Sequence, residues 1–189
     1  MEIIDNVEVL AFADDAQWEA WLANHYERRK EAWLIIAKKG FEHTGITIGD
    51  ALDVALCFGW IDSHRKGRDK ISYLQRYSPR QSTSPWSRLN VERAEALIET
   101  GRMREAGHLE IAAARKDGRW SIAYEPQSKA VIPADVVQAI QGHGRAAEAF
   151  QILSKSDRYA LVLPVLKATD PATRAKRILK LNETLTSPT

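Results

Sequence analysis

The sequence predicts an α+β fold: a small mixed or antiparallel sheet packed by helices, followed by an all-helical C-terminal part. Three observations predict it. Strand-like runs are confined to residues 7–77. Helix-start signals, an Asp, Ser or Thr ahead of an amphipathic run, recur along the chain. From Pro133 onward only helical patterning is left. With 189 residues, 44% of them hydrophobic and 28% charged, the chain suits one domain, or one domain plus a small helical extension, and is too apolar to be largely disordered.

Val7 to Phe12 alternates weakly and predicts the first strand. Asp14 or Asp15 then caps a helix whose Trp18, Trp21 and Leu22 share one face. Ala32 to Ala37 is a short apolar run closed by Lys38, Lys39 and Gly40, and it reads as a buried strand. Thr47 and Asp50 form a capping-box pattern ahead of a nearly apolar helix, which Gly59 stops as a left-handed residue. Trp60-Ile61-Asp62 restarts extended chain, and Ser63 to Lys70 reads as a polar loop. Ile71 to Tyr77 alternates as a strand. Ser84-Pro85 predicts an N-cap and first-turn proline for a helix burying Leu89, Ala96 and Leu97, with Gly101 as its stop. A helix over Glu105 to Lys116 ends before Gly118.

Residues 121–132 read as a linker between an α+β domain over 1–120 and a helical part over 133–189. The helical part divides at Pro133 to Gln141, Ala146 to Leu153, Asp157 to Leu166 and Thr173 to Leu185, with Asp170-Pro171 as a cap-plus-proline start. These helices are short, so tertiary contact must hold them.

The formal net charge of +2 conceals an asymmetry: residues 1–60 hold 11 acidic against 5 basic side chains, and residues 61–120 hold 13 basic against 8 acidic. No run reaches a polybasic tail. The N-terminal residues lack a basic n-region and an apolar h-region, and no stretch approaches the roughly 18 apolar residues of a spanning helix. The expectation is a cytoplasmic protein with no membrane span.

Chemistry-bearing motifs are sparse. There is no glycine-rich phosphate loop, nucleophile elbow or zinc-binding His pair, and the five histidines have no ligand-like spacing. No metal and no cofactor are expected. Cys57, the only cysteine, sits among apolar neighbours that raise a thiol pKa, which favours packing; a nucleophile approached by His64 is the alternative.

The stretch from Cys57 to Asn90 stands out for its Trp, Tyr, Arg, Ser and Asp content. Convergence of Asp62, Arg76 and Arg80 near one end of the sheet would place guanidinium forks beside tryptophan faces, a setting for a small anionic or planar ligand. The candidate ligand-binding residues are Trp60, Asp62, Ser63, Arg76, Arg80, Ser84, Trp86, Ser87, Asn90 and Arg102. The structural alternative makes Trp60 and Trp86 core, Asp62 part of an ion pair, and Ser84, Ser87 and Asn90 capping residues.

Within this stretch and beyond it, Ala55-Leu56-Cys57-Phe58-Gly59-Trp60-Ile61-Asp62-Ser63, Ser78-Pro79-Arg80 with Trp86-Ser87 and Asn90, Gly101-Arg102-Met103 with Ala106-Gly107, and Gly118-Arg119-Trp120 resemble the YdeI/OmpD-associated, or bacteriocin-protection-like, family. Thr173-Arg174-Ala175-Lys176-Arg177-Ile178 resembles its C-terminal signature, so the likeness runs from about Trp18 to Leu185. The resemblance implies an α+β domain with a helical C-terminal part, no known cofactor, no established catalytic residues, and a bacterial stress-protection role with links to bacteriocin resistance and to a porin.

Three readings follow: a non-enzymatic binder of a small anionic or planar ligand or of a protein partner; a small enzyme with Asp62 as general base and Arg76 or Arg80 as anion holders; and a nucleic-acid-binding protein acting through basic residues, including Arg174, Lys176, Arg177 and Lys180. The sequence leaves the catalytic residues unassigned.

Overall fold

Two strands, Ile3–Ile4 (β1) and Val7–Leu10 (β2), open the computed structural model, which describes residues 2–187. Asp5 and Asn6 join them with φ of 52° and 64°, the left-handed pair that a two-residue hairpin needs and that Asp and Asn tolerate best among non-glycine residues. β1 lies outside the strands that the sequence predicts. Asp14 caps the helix Asp15–His25 (α1), its carboxylate accepting the Gln17 amide at 2.9 Å. Ala32–Ala37 (β3) follows as expected.

Thr47 caps Ile48–Cys57 (α2): its hydroxyl accepts the Asp50 amide at 3.2 Å and donates to the Asp50 carboxylate at 2.6 Å. Gly59 stops this helix at φ +71°; a Cβ there would stand 3.1 Å from the Ala106 carbonyl oxygen, so both backbone and space demand glycine. Trp60–Gly67 (β4) and Ser72–Pro79 (β5) complete a five-stranded sheet in the order β1-β2-β3-β5-β4. Only β2 and β3 run parallel, and α1 lies between them in the chain, as a parallel crossover requires. The architecture is α+β with a mixed sheet.

Two expectations are corrected. Ser63 to Gly67 is strand: after an irregularity between Asp62 and Arg65, Lys66 pairs with Leu74 and Gly67 with Tyr73. β4 is an edge strand, and charged residues on an exposed edge hide the alternation that marks a half-buried strand. The next helix, Arg88–Glu99 (α3), starts four residues after Ser84, and the Ser87 hydroxyl accepts the Asn90 amide at 3.2 Å. It buries Val91, Ala94 and Leu97, whereas Leu89 is 48% exposed. Glu105–Lys116 (α4) forms as read.

The chain packs as two units, Met1–Ser82 with Glu92–Lys116 and Thr83–Val91 with Asp117–Thr189. In the first, Trp18, Leu22, Ala51, Val54, Trp60 and Tyr77 are buried, with the Trp18 ring 6.4 Å from Trp60 and 5.9 Å from Tyr77. The other sheet face carries a smaller cluster of Val9, Trp33 and Leu74, over which the Lys66 ammonium lies 4.9 Å from the Trp33 ring while pairing with Asp5 at 3.1 Å.

The second unit contains Ala134–Gln141 (α5), Gly144–Ile152 (α6), Lys155–Leu166 (α7) and Pro171–Thr186 (α8). Ser154 caps α7 and Asp170 caps α8, with Pro171 in the first turn. Val136, Ile140, Ala146, Val162, Val165 and Leu181 form its core, and Arg174 braces α8 to Asp135 through two 2.8 Å hydrogen bonds. Residues 121–132 are part of this unit: Ala123 is buried and the Tyr124 amide donates to the Trp86 carbonyl at 3.0 Å. No helix among the described residues is long and apolar enough to cross a membrane.

Candidate functional site

Side chains alternate across a strand, and this alternation sorts the residues of β4 and β5. Asp62 stands directly opposite Tyr77, on the face where Tyr77 meets Trp18. Arg76, the neighbour of Tyr77, faces the other side, opposite Trp33. There it pairs with Glu31 and donates to the Ser63 hydroxyl at 3.3 Å. The structure therefore brings Ser63 and Arg76 together and sets Asp62 apart from both.

Of the remaining candidates in the first unit, Trp60 and Arg80 are buried and Arg102 is partly exposed. Trp60 is 1% exposed, with Trp21 edge-on at 6.5 Å. Arg80 is buried, and its backbone amide donates to the Gly59 carbonyl at 2.9 Å. Arg102 donates to the Asp15 carboxylate at 3.2 Å. Beside Asp62, burial pushes the Tyr77 phenol far above its ordinary range, with Asp62 adding to the effect, so Tyr77 stays protonated. The Arg65 guanidinium lies 4.2 Å above the Tyr73 ring, next along this face.

The other four candidates belong to the second unit. The Ser84 carbonyl accepts from Arg119 at 2.9 Å, and Arg119 is pinned in turn by Asp117 at 2.8 Å. Trp86 is 2% exposed, 4.7 Å edge-on from Trp120. Ser87 bridges to Tyr124 and caps α3, and Asn90 supplies the capped amide.

Cys57 is buried and its thiol is pushed up to about 11 by desolvation, so the thiolate is scarce at neutral pH and packing is its role. Among the described residues no group of three or more His, Cys, Asp or Glu side chains is placed to hold a metal ion.

A concave site lies wholly inside the second unit. A groove of about 370 Å³ runs between residues 127–132 and one stripe of α7. Lys155, Arg158, Tyr159, Val162 and Leu166 recur at helical spacing, so all five border the groove. Their chemistry grades along the helix from two cations in the first turn to an apolar end. Val131, Ile132 and Leu153 complete the apolar lining, and Val131 is 82% exposed.

Hydrogen bonds hold this geometry in place. The Tyr159 hydroxyl donates to the Glu125 carbonyl at 3.1 Å, tying α7 to the chain that forms the opposite wall. The Arg158 guanidinium donates to the Gln151 carbonyl at 2.6 Å and lies 5.5 Å from the Phe150 ring, so this cation is anchored to the end of α6. A concave volume of this size with an apolar lining and few polar groups is the usual form of a small-molecule site. None of its residues is among the sequence-based candidates. The signal was present in the stripe at 155, 158, 159, 162 and 166, which reads as a buried helix face until the facing segment is known.

Comparison with known families finds two matches. Residues 10–110 match a domain of unknown function, DUF8412, and residues 129–187 match the family described as bacteriocin-protection, YdeI or OmpD-associated. The second match takes in every lining residue of the groove except Gln127, and all of α5 to α8. No curated protein and no solved structure matches the chain.

Proposed function

The chain belongs to the DUF8412 family and also carries a bacteriocin-protection, YdeI or OmpD-associated domain, and on that premise we propose that it is a non-enzymatic, stress-protection-type binder of a small anionic ligand. The observation that carries the reading is the groove of about 370 Å³ in which Lys155 and Arg158 adjoin an apolar lining. Cations beside a water-poor surface attract an anion that also has a hydrophobic body, because each part then meets a matching environment.

Anilinonaphthalene sulfonate, an aromatic anion, tests this. Its fluorescence rises with wild type and falls back for Lys155→Glu and Val131→Glu, both exposed positions whose exchange leaves the core untouched. Equal fluorescence from all three proteins overturns the reading.

A second reading keeps Asp62 as a proton acceptor with Arg80 as the anion holder. It is favoured by the position of Asp62 on the helix-packed face opposite Tyr77. Arg76 has no part in it, since it points to the other face and pairs with Glu31. Loss of the same ligand's binding in Asp62→Asn, with the groove variants unaffected, would transfer the site to the first unit.

A further inference from the structure

We infer that the groove of the helical unit takes a monomeric amphiphile with one anionic head and an unbranched apolar tail, of the class of alkyl carboxylates, bound in one orientation. This rests on the binder reading above and goes further, in ligand class and in direction. The order of residues along α7 carries both. Lys155 and Arg158 occupy its first turn, and Val162 and Leu166 lie progressively further on. At a rise of about 1.5 Å per residue, Lys155 and Leu166 are roughly 16 Å apart along the axis, far longer than a carboxylate or phosphate alone requires.

The first turn of α7 also directs backbone amides and the positive end of the helix dipole toward the head-group end. Ser154 already accepts the Asp157 amide at 3.1 Å, so the two side-chain cations, rather than the helix end, are the main attraction for the head. Val131 and Ile132 on the facing segment add apolar lining, and Lys155 and Arg158, both in the first turn of α7, are the cations among the groove's lining residues. Its volume fits a small molecule, whereas a peptide or protein surface spreads over a larger, flatter area.

The test is competition against bound anilinonaphthalene sulfonate, using the full chain and concentrations at which the competitors are monomeric. Butyrate, hexanoate, octanoate and decanoate form the series, with octanol, inorganic phosphate and phosphatidylglycerol vesicles as separate arms. Affinity is expected to climb by up to roughly fourfold per methylene and to level off once the tail passes Leu166. Octanol should bind roughly tenfold more weakly than octanoate, and Lys155→Ala with Arg158→Gln should erase that difference while keeping the length dependence.

The outcomes separate the two claims. Binding of anilinonaphthalene sulfonate or phosphate with no dependence on chain length overturns the amphiphile inference and leaves the binder reading standing. Failure of every anion overturns both. Octanol equal to octanoate removes the anionic head from the assignment. Retention on vesicles without binding of monomeric octanoate replaces it with a membrane surface.

Discussion

Asp62 and Arg76 point to opposite faces of the sheet: Asp62 lies across from Tyr77, while Arg76 lies across from Trp33 and pairs with Glu31. Two residues close enough in register to form an ion pair are separated by the pleat alone. Strand geometry thus places this carboxylate and this guanidinium on different faces of the sheet.

The separation predicts near-additivity. In a double-mutant cycle of Asp62→Asn with Arg76→Ala, the coupling energy measured by urea unfolding should stay below about 0.5 kcal/mol. The cycle of Glu31→Gln with Arg76→Ala should give a clear favourable coupling of about 1 kcal/mol, because both side chains are less than a third exposed. A larger coupling in the first cycle than in the second would mean that the two groups interact by a route other than this geometry.

Gly107 on α4 predicts a steep packing penalty. A Cβ there would lie 2.3 Å from the Met103 sulfur and 2.6 Å from the Cys57 carbonyl oxygen, so α2 and α4 would be pushed apart. Gly107→Ala should cost about 1–3 kcal/mol in spite of alanine's better helix propensity. A stabilised variant would show that the two helices are not in this contact.

Cys57 predicts chemical silence. With its thiol pushed up to about 11 by burial, it should resist iodoacetamide at pH 8 and react readily once urea unfolds the chain. Cys57→Ala should leave sulfonate binding unchanged. Rapid alkylation of the folded protein at neutral pH would revive a nucleophilic role.

Asp135 predicts the direction of acid sensitivity in the helical unit. Hydrogen bonds from the Arg174 guanidinium hold its carboxyl below the usual carboxylate range. A group depressed in the folded state contributes stability above its unfolded value, about 3.9 for Asp, and loses it as pH falls through the folded value. Below about pH 4, wild type should therefore lose more of its stability than Asp135→Asn does. The difference will be small, since the Asp135 side chain is nearly half exposed at 48%, and parallel acid-unfolding curves for the two proteins would contradict it.

Much of the fold was legible because its signals are local. Asp14, Thr47 and Asp170 each satisfy an amide three residues ahead, so a cap is written within one helical turn of sequence. The apolar run Ala32 to Ala37 is buried along nearly its whole length, and a run of that kind has few alternatives. The caps misled at Ser84-Pro85, where a better-placed serine, Ser87, stood three residues on, and the helix read from Asp157 starts two residues earlier behind the Ser154 cap.

What the sequence by itself determined is the α+β order, most helix starts, and the apolar helix face of Trp18 and Leu22; that Trp60 and Trp86 are core and not open to a ligand was settled by the tertiary packing. Tertiary structure alone decided that Ser63 to Gly67 is strand, that Asp62 and Arg76 part company, and that a groove opens beside α7. The physical reason is common to all three. Strand pairing, face assignment and concavity depend on partners distant in the chain: β5 for β4, and residues 127–132 for α7, none of which a local window contains.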